Sequence, residues 1–197
     1  MCGIAGIIGP SNISVLRKMN AAQAHRGPDA EGIFENEYIQ FGHVRLSILD
    51  LSTGGNQPFV NQSTGSALIF NGEIYNFNEI KADLIKLGHK FKSESDTEVI
   101  LHAFYQWGIS CVSRFVGMFS FVIFDKSTSE LTIVRDRAGI KPLYYYWNDG
   151  IFLFSSELKA FHVHPQFKKL IDENAVSQFM DFGYVPAPYC IFRHTSK

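Results

Sequence analysis

The sequence lacks the features that would tie it to a membrane or to nucleic acid. No apolar stretch is long enough to span a bilayer. The apolar run that begins at Gly3 is interrupted by glycine and ends at Gly9-Pro10, so it predicts a strand and not a signal peptide. The formal net charge is −1 and no basic run occurs, which gives no electrostatic reason to expect nucleic acid or an anionic membrane as a partner.

Cysteine is scarce. Cys2, Cys111 and Cys190 are odd in number and far apart, which fits neither a disulfide framework nor a four-ligand zinc site. We therefore expect a reducing, cytoplasmic setting. His162 and His164 are a lone pair near a helix end, so we predict no metal site in the chain.

Phenylalanine, by contrast, is plentiful, since it accounts for 18 of the 197 residues. Many of these phenylalanines occur in alternating apolar runs such as residues 115–124. Such runs predict sheets that pack face to face around an aromatic core. Strand-like segments come first, two helices follow at about Asn78–Lys86 and Thr97–Trp107, and two hairpins span residues 117–155. This order predicts an α+β fold, in which helices cover two mainly antiparallel sheets as a four-layer αββα sandwich.

Two further local predictions bear on the site. Residues 50–65 are rich in Ser, Thr, Gly and Asn and are predicted to form a long surface loop. The short apolar strand Ala67–Phe70 is predicted to end at Asn71-Gly72, and Glu157–His162 is predicted to be a short helix.

Cys2 is the first candidate for chemistry. Once Met1 is removed, Cys2 carries a thiol and a free α-amine, which are a nucleophile and a base in one residue. The reference pKa of an α-amine is about 7.7–8.0, so it can take the thiol proton near neutral pH. The alternative interpretation is a small buried cysteine on an N-terminal strand.

A thiol that attacks a carbonyl carbon needs donors for the oxyanion and groups that hold the substrate. Asn71-Gly72 can direct a side-chain amide and a backbone N–H at one oxygen. The alternative is an ordinary Asn-Gly turn, which is a common structure in proteins. Arg45 can bind a carboxylate, or it is a solvated charge on an edge strand. Glu73 and Asp96 suit an ammonium group, although Asp96 also fits a helix N-cap. Together these residues predict a pocket for a free α-amino acid.

Six segments carry these residues in a fixed order between residue 2 and about residue 160. They are Met1-Cys2-Gly3-Ile4, His25-Arg26-Gly27-Pro28-Asp29, Arg45-Leu46-Ser47-Ile48, Asn71-Gly72-Glu73-Ile74-Tyr75-Asn76, Ser95-Asp96-Thr97-Glu98 and Arg135-Asp136-Arg137-Ala138-Gly139-Ile140-Lys141-Pro142-Leu143-Tyr144-Tyr145. This set resembles the class II glutamine amidotransferase domain of the asparagine synthetase family. The resemblance implies the αββα sandwich of the N-terminal nucleophile hydrolases and a role for each matching residue.

The implied roles concern nine residues and one loop. Cys2 is the nucleophile and base, and Asn71 with the Gly72 N–H forms the oxyanion hole. Arg45 binds the glutamine α-carboxylate, and Glu73 and Asp96 bind its α-amine. Groups beside Ile48 and Leu49 line the pocket, and Asn76 lies near the oxyanion region. The loop His25–Asp29 is expected beside the nucleophile without a chemical step, and salt-bridged anchoring by Arg26 and Asp29 is the alternative.

The implied reaction is hydrolysis of L-glutamine to glutamate and ammonia through a γ-glutamyl thioester on Cys2. Pro28 and the run Lys141–Tyr145 are more similar to asparagine synthetases than to amidotransferases that feed sugar isomerase or phosphoribosyl domains. The resemblance implies a C-terminal synthetase domain with a Ser-Gly-Gly-x-Asp-Ser loop, which this chain lacks. We therefore expect a glutaminase domain at 1–165 and, at 166–197, a linker with the start of a synthetase domain.

Cofactors and partners follow from the same resemblance. No cofactor is expected in this domain, whereas ATP and Mg are expected in the synthetase domain. The expected partners are L-glutamine and the synthetase domain, and the resemblance does not decide whether the chain forms a homodimer. The acceptor of the ammonia, whether aspartate, a sugar or a peptide, is not defined by this sequence. Two alternatives are a non-catalytic glutamine-binding or docking module and a hydrolase of another amide, the latter disfavoured by Arg45 and Asp96.

Overall fold

Two antiparallel sheets lie face to face in the computed structural model, which describes residues 1–10, 12–48, 51–62 and 64–197. The first sheet contains β1 (Gly3–Ile8), β2 (Ala30–Glu35), β3 (Ile39–Arg45), β8 (Tyr144–Asn148), β9 (Ile151–Ser155) and β10 (Thr195–Ser196), in the order β10-β8-β9-β1-β3-β2. The second contains β4 (Phe59–Val60), β5 (Ala67–Ile74), β6 (Gly117–Asp125) and β7 (Glu130–Arg135), in that order. The N-terminal strand β1 is therefore central in its sheet, which fixes the position of residue 2.

The space between the sheets is filled by alternate residues of the strands. Ile4 on β1 and Phe41 on β3 face Ile69 on β5 and Val122 on β6 in one buried cluster. The rings of Phe41 and Phe154 meet edge to face with centroids 5.8 Å apart. The opposite faces of both sheets are also apolar, so each needs a helical cover.

Helices provide that cover on both sides. Helix α1 (Ile13–Ala22) begins after Asn12, whose side chain accepts the Val15 N–H, and packs Leu16 and Met19 against the six-stranded sheet. Helices α2 (Phe77–Lys86) and α3 (Asp96–Trp107) pack on the four-stranded sheet. The predicted α+β class and αββα layering are thus confirmed.

The last part of the chain packs on the six-stranded sheet. Helix α4 (Glu173–Phe182) is capped by Asp172, and β10 pairs with β8. Phe167 and Phe192 pack in the cluster around Tyr146. The domain boundary expected at residue 165 stays a prediction. Among the described residues, no helix combines the length and apolar character needed to cross a membrane.

One local prediction was wrong. Strand β5 does not end at Asn71 but continues to Ile74, because Gly117–Ser120 of β6 offers it a full antiparallel partner. The short helix predicted at Glu157–His162 is confirmed as a 3₁₀ helix at Leu158–Val163. Within the predicted loop 50–65, the described residues include a 3₁₀ turn at Thr53–Gly55 and the short strand β4, while residues 50 and 63 lie outside the described part.

Candidate active site

A cavity of about 200 Å³ opens where the start of β1, the end of β3, strand β5 and the start of α3 meet. Its walls include seven of the nine residues proposed from the sequence, namely Cys2, Arg45, Ile48, Asn71, Gly72, Glu73 and Asp96. The fold thus brings together side chains that are far apart in the sequence.

Cys2 is held in place from two sides. Its Sγ accepts the Leu46 N–H at 3.4 Å and lies 3.6 Å from the Leu46 carbonyl oxygen. Its own carbonyl oxygen accepts a hydrogen bond from Arg26 Nε at 2.9 Å, and Arg26 pairs with Glu157 at 3.1 Å. Met1 is 55% exposed, and while it is attached the Cys2 nitrogen is an amide that cannot act as a base.

The loop His25–Asp29 supports the nucleophile, as the sequence suggested. The ion pair between Arg26 and Glu157 agrees with the anchoring alternative, and the contact with the Cys2 carbonyl adds a function to that anchor. Asp29 accepts the Ser47 N–H at 2.7 Å and so holds the segment that contacts the thiol. Asp29 therefore anchors through a backbone hydrogen bond.

The edge of β5 next to the cavity is not covered by another strand, because β4 pairs only with Ala67 and Leu68. On β6, both backbone groups of Phe119 bind Asp136, the residue after β7: the Phe119 N–H donates to the side-chain Oδ2 of Asp136 at 3.3 Å, and the Phe119 carbonyl accepts the Asp136 N–H at 2.7 Å. Phe119 is paired with Gly72, so Gly72 must direct its own N–H away from β6, towards the uncovered edge.

The neighbours of Gly72 on that edge are satisfied by side chains. The Phe70 N–H is bound by Gln57 Oε1 at 2.6 Å, and the Ile74 N–H is bound by Asp96 Oδ2 at 3.1 Å. The Gly72 N–H lies between them and faces the cavity. A Cβ at Gly72 would stand 2.4 Å from the Met118 carbonyl oxygen, so only glycine fits this close approach of β5 and β6.

Asn71 carries an unsatisfied amide in the cavity wall. Its side chain is 1% exposed, and neither its Nδ2 nor its Oδ1 has a hydrogen-bond partner among the described residues. Burying a polar group without a partner costs about 1–3 kcal/mol. The amide is therefore poised to bind a ligand atom, and with Gly72 it can offer two N–H donors to one oxygen.

Arg45 closes one side of the cavity. Its Nη1 donates to the Ser52 carbonyl at 2.8 Å and to Asn56 Oδ1 at 2.7 Å. Gln57 continues this wall, since its Nε2 donates to Thr97 Oγ1 at 3.3 Å. The buried guanidinium both orders residues 52–56 and presents a positive charge to the cavity.

Asp96 is the first residue of α3, and it is not the helix cap. Ser95 caps the helix, because its Oγ accepts the Thr97 N–H at 3.2 Å. Burial raises the pKa of Asp96 to about 6, the N–H donors of Ile74 and Thr97 oppose that rise, and nearby Glu73 adds to it. A buried carboxylate beside a second carboxylate favours a cationic ligand.

Two predicted residues remain. Asn76 is not among the residues that line the cavity. Its Nδ2 donates to the Arg114 carbonyl at 3.0 Å, and its Oδ1 accepts the Val116 N–H at 2.9 Å. We therefore correct its expected place near the oxyanion region. Leu49 lies outside the described residues.

The sequence did not reveal Gln57 or Lys141 as parts of the cavity wall. Gln57 lies in a segment whose composition indicates only a loop. Lys141 belongs to a recognised segment, but nothing in its neighbours signals that this lysine is buried.

The fold and the cysteine after Met1 define the class of protein, an αββα sandwich of the N-terminal nucleophile hydrolase type. The chain belongs to the glutamine amidotransferase domain family, whose sequence profile matches residues 1–197.

Similar proteins agree with this assignment. A putative glutamine-hydrolysing asparagine synthetase 2 of Methanocaldococcus jannaschii is 42% identical over 100% of this chain, and asparagine synthetase 1 of Bacillus subtilis is 38% identical over 100%. This chain spans only 42% and 32% of those proteins. Among solved structures, glutamine phosphoribosylpyrophosphate amidotransferase from B. subtilis matches with a TM-score of 0.71 and 25% identity, covering 82% of this chain and 43% of the amidotransferase.

The raised pKa of Asp96 predicts a titration that NMR can follow. We expect the ¹³C resonance of the Asp96 carboxyl, assigned by its loss in Asp96→Asn, to titrate with a midpoint of about 6 in the free protein. Glu73→Gln removes a like charge and should move the midpoint down. Since a cationic ligand binds the ionised carboxylate, the affinity of the protein for such a ligand should fall as the pH drops through this midpoint. A midpoint at or below about 4 would contradict this environment.

Proposed function

We propose that this chain hydrolyses L-glutamine to L-glutamate and ammonia through a γ-glutamyl thioester on Cys2. The observation that carries the proposal is the buried amide of Asn71, which has no partner among the described residues and shares one cavity with the Cys2 thiol. A structural cysteine would not require such an amide beside it. The family assignment supports the same substrate.

Glutamine recognition uses the charges of the cavity. The Arg45 guanidinium binds the α-carboxylate, and Asp96 together with Glu73 binds the α-ammonium group. These groups hold the amino acid so that its side-chain amide reaches towards Asn71 and Gly72. Ile48 contributes to the wall, and Leu49 keeps the lining role that the family resemblance implies.

The chemistry begins after removal of Met1. The Cys2 α-amine takes the thiol proton, and the thiolate attacks the side-chain carbonyl carbon of glutamine. The Asn71 Nδ2–H and the Gly72 N–H donate to the resulting oxyanion. The protonated α-amine of Cys2 passes its proton to the leaving nitrogen of the substrate amide. Ammonia departs and leaves the thioester. Water, deprotonated by the same amine, then attacks the thioester, and glutamate leaves as the thiol is restored.

The longer relatives suggest where the ammonia goes. Because the matched relatives carry the names of asparagine synthetases and this chain spans less than half of them, we propose that its ammonia normally serves an ATP-dependent synthetase domain of the kind those longer proteins are named for. ATP and Mg would bind in that domain, and this domain would need no cofactor of its own. A cytoplasmic location agrees with three cysteines that all remain free thiols.

The proposal predicts that Cys2 is indispensable and that its amine must be free. Cys2→Ala should lower the release of glutamate from glutamine by more than about a thousandfold, because no nucleophile remains. Cys111→Ala is the matched control and should keep its activity, since Cys111 lies in the 3₁₀ helix Gly108–Arg114, in the buried cluster beneath α2 and α3 and outside the cavity. Mass spectrometry of the same preparation should show that active chains begin at Cys2.

Full activity in a preparation that retains Met1 completely would contradict the amine's part in the mechanism. Binding of glutamine by wild-type protein without any turnover would instead favour the alternative of a non-catalytic glutamine-binding or docking module. Calorimetry in the same buffer separates these outcomes.

Arg45→Ala should raise the KM for glutamine by about 10- to 100-fold, because a substrate carboxylate would be bound without its charged partner. Asn56→Ala removes a side-chain contact of Arg45 but keeps the cation, so it should change the KM far less. Arg17→Ala, on the exposed face of α1, controls for a general loss of positive charge. Equal KM values for Arg45→Ala and Arg17→Ala would remove Arg45 from glutamine binding.

A further inference from the structure

A second cation lines the cavity, and neither the sequence nor the mechanism above gives it a task. Lys141 is 5% exposed and forms part of the cavity wall together with Cys2 and Asn71. Its ammonium group has no hydrogen bond or ion pair with any residue in the described part of the chain. By contrast, Lys81, which is also largely buried, donates to Ser93 and pairs with Glu94.

The backbone of Lys141 is fixed by the loop that follows β7. Its N–H is bound by Asp136 Oδ2 at 2.9 Å, and its carbonyl oxygen accepts a hydrogen bond from Arg135 Nε at 2.8 Å. Asp136 also accepts the Ile140 N–H at 2.8 Å, while Arg135 binds the Gly139 carbonyl at 2.6 Å. Both polar groups of the Lys141 backbone are thus hydrogen-bonded, so the loop fixes the point from which this side chain enters the cavity wall.

The loop that carries Lys141 is linked to the backbone of Asn71 through Ser120. Ser120 Oγ on β6 lies 3.5 Å from the Asn71 carbonyl oxygen and 3.5 Å from the carbonyl oxygen of Pro142, the residue that follows Lys141. The amino-acid end is built from other elements, namely Arg45 at the end of β3 and Asp96 at the start of α3. The segment that carries Lys141 therefore lies next to Asn71, one of the proposed oxyanion donors, and the Lys141 side chain lines the same cavity as the Cys2 thiol.

Among the described residues, the side chains that line the cavity leave one cation without an assigned partner once an amino acid is bound. Among its lining side chains, Arg45 and Lys141 are positive and Glu73 and Asp96 are negative. A bound amino acid uses Arg45 for its carboxylate and the two acids for its ammonium group. An ammonium group that is held in a largely buried side chain without a partner is unfavourable unless a negative charge forms next to it. The proposed reaction forms such charges in this cavity, on the thiolate, the oxyanion and the γ-carboxylate of the product.

We infer that Lys141 is a further catalytic residue, whose ammonium group donates hydrogen bonds to the negative charge that develops at the γ position of the substrate. This inference rests on the proposed glutaminase function. The ammonium group gives up no proton in the reaction; it stabilises the oxyanion together with Asn71 and Gly72, and it binds the γ-carboxylate of glutamate after hydrolysis.

The test replaces the charge but keeps the length of the side chain. Lys141→Met should lower kcat by about 10- to 100-fold and change the KM for glutamine by less than about threefold, because the charge it would stabilise forms only after binding. Lys141→Arg should recover part of the loss. Arg137→Met removes a cation from the exposed side of the same loop and should leave kcat unchanged.

A binding measurement makes the test independent of turnover. In a Cys2→Ala background, calorimetry with L-glutamate and L-glutamine should show that Lys141→Met weakens glutamate binding at least about tenfold relative to glutamine binding, since only glutamate carries a γ-carboxylate. The melting temperature of Lys141→Met should equal or exceed that of the wild type, because a buried charge without a partner is replaced by an apolar group of similar size.

Several outcomes would overturn the inference. Wild-type kcat and an unchanged glutamate-to-glutamine affinity ratio in Lys141→Met would remove Lys141 from the chemistry while leaving the glutaminase proposal intact. A lowered melting temperature, with lost activity that Lys141→Arg does not recover, would assign Lys141 a structural role. If wild-type protein bound both amino acids but released no glutamate from glutamine, the proposed function would fail, whereas the affinity ratio would still report on Lys141.

Discussion

The site depends on the uncovered edge of β5. Each second N–H along this edge must find a partner other than a strand, because β4 stops after Leu68. Gln57 and Asp96 provide partners for Phe70 and Ile74. Between them the Gly72 N–H is directed at the cavity. The same two side chains also form the walls of the cavity, so the hydrogen bonds that complete the sheet edge also shape the proposed substrate site.

Stability is given up at several points around this edge. Asn71 is buried without a partner among the described residues, Asp96 has a raised pKa, and the Lys141 ammonium lies unpaired in the cavity wall. Each is unfavourable in the free protein, and each becomes favourable when a zwitterionic amino acid with a reacting amide binds. Groups of this kind, held in place before the substrate arrives, stabilise a transition state because they need little reorganisation. The aromatic layer between the sheets supplies the rigid support.

Much of the fold could be predicted from the sequence, because the alternation of apolar residues marks strands such as β6 and the order of strands and helices indicates the αββα layering. The end of β5 was mistaken, because Asn-Gly is locally typical of a turn and only the distant strand β6 makes it a strand. Cys2, Arg45 and Asp96 could be found because each meets a separate chemical need. Gln57 and Lys141 could not, because their roles depend on burial and on contacts between segments far apart in the chain.

The most direct measurement is to stop the reaction with acid shortly after mixing the protein with L-glutamine and to map the modified peptide by mass spectrometry. If Cys2 is the nucleophile, one γ-glutamyl group should be found on the N-terminal peptide of chains that begin at Cys2, and it should disappear on treatment with hydroxylamine, which cleaves thioesters. Turnover without any such adduct, an adduct on Cys111 or Cys190, or an adduct on chains that retain Met1 would contradict a mechanism in which the thiol and the amine of Cys2 act together.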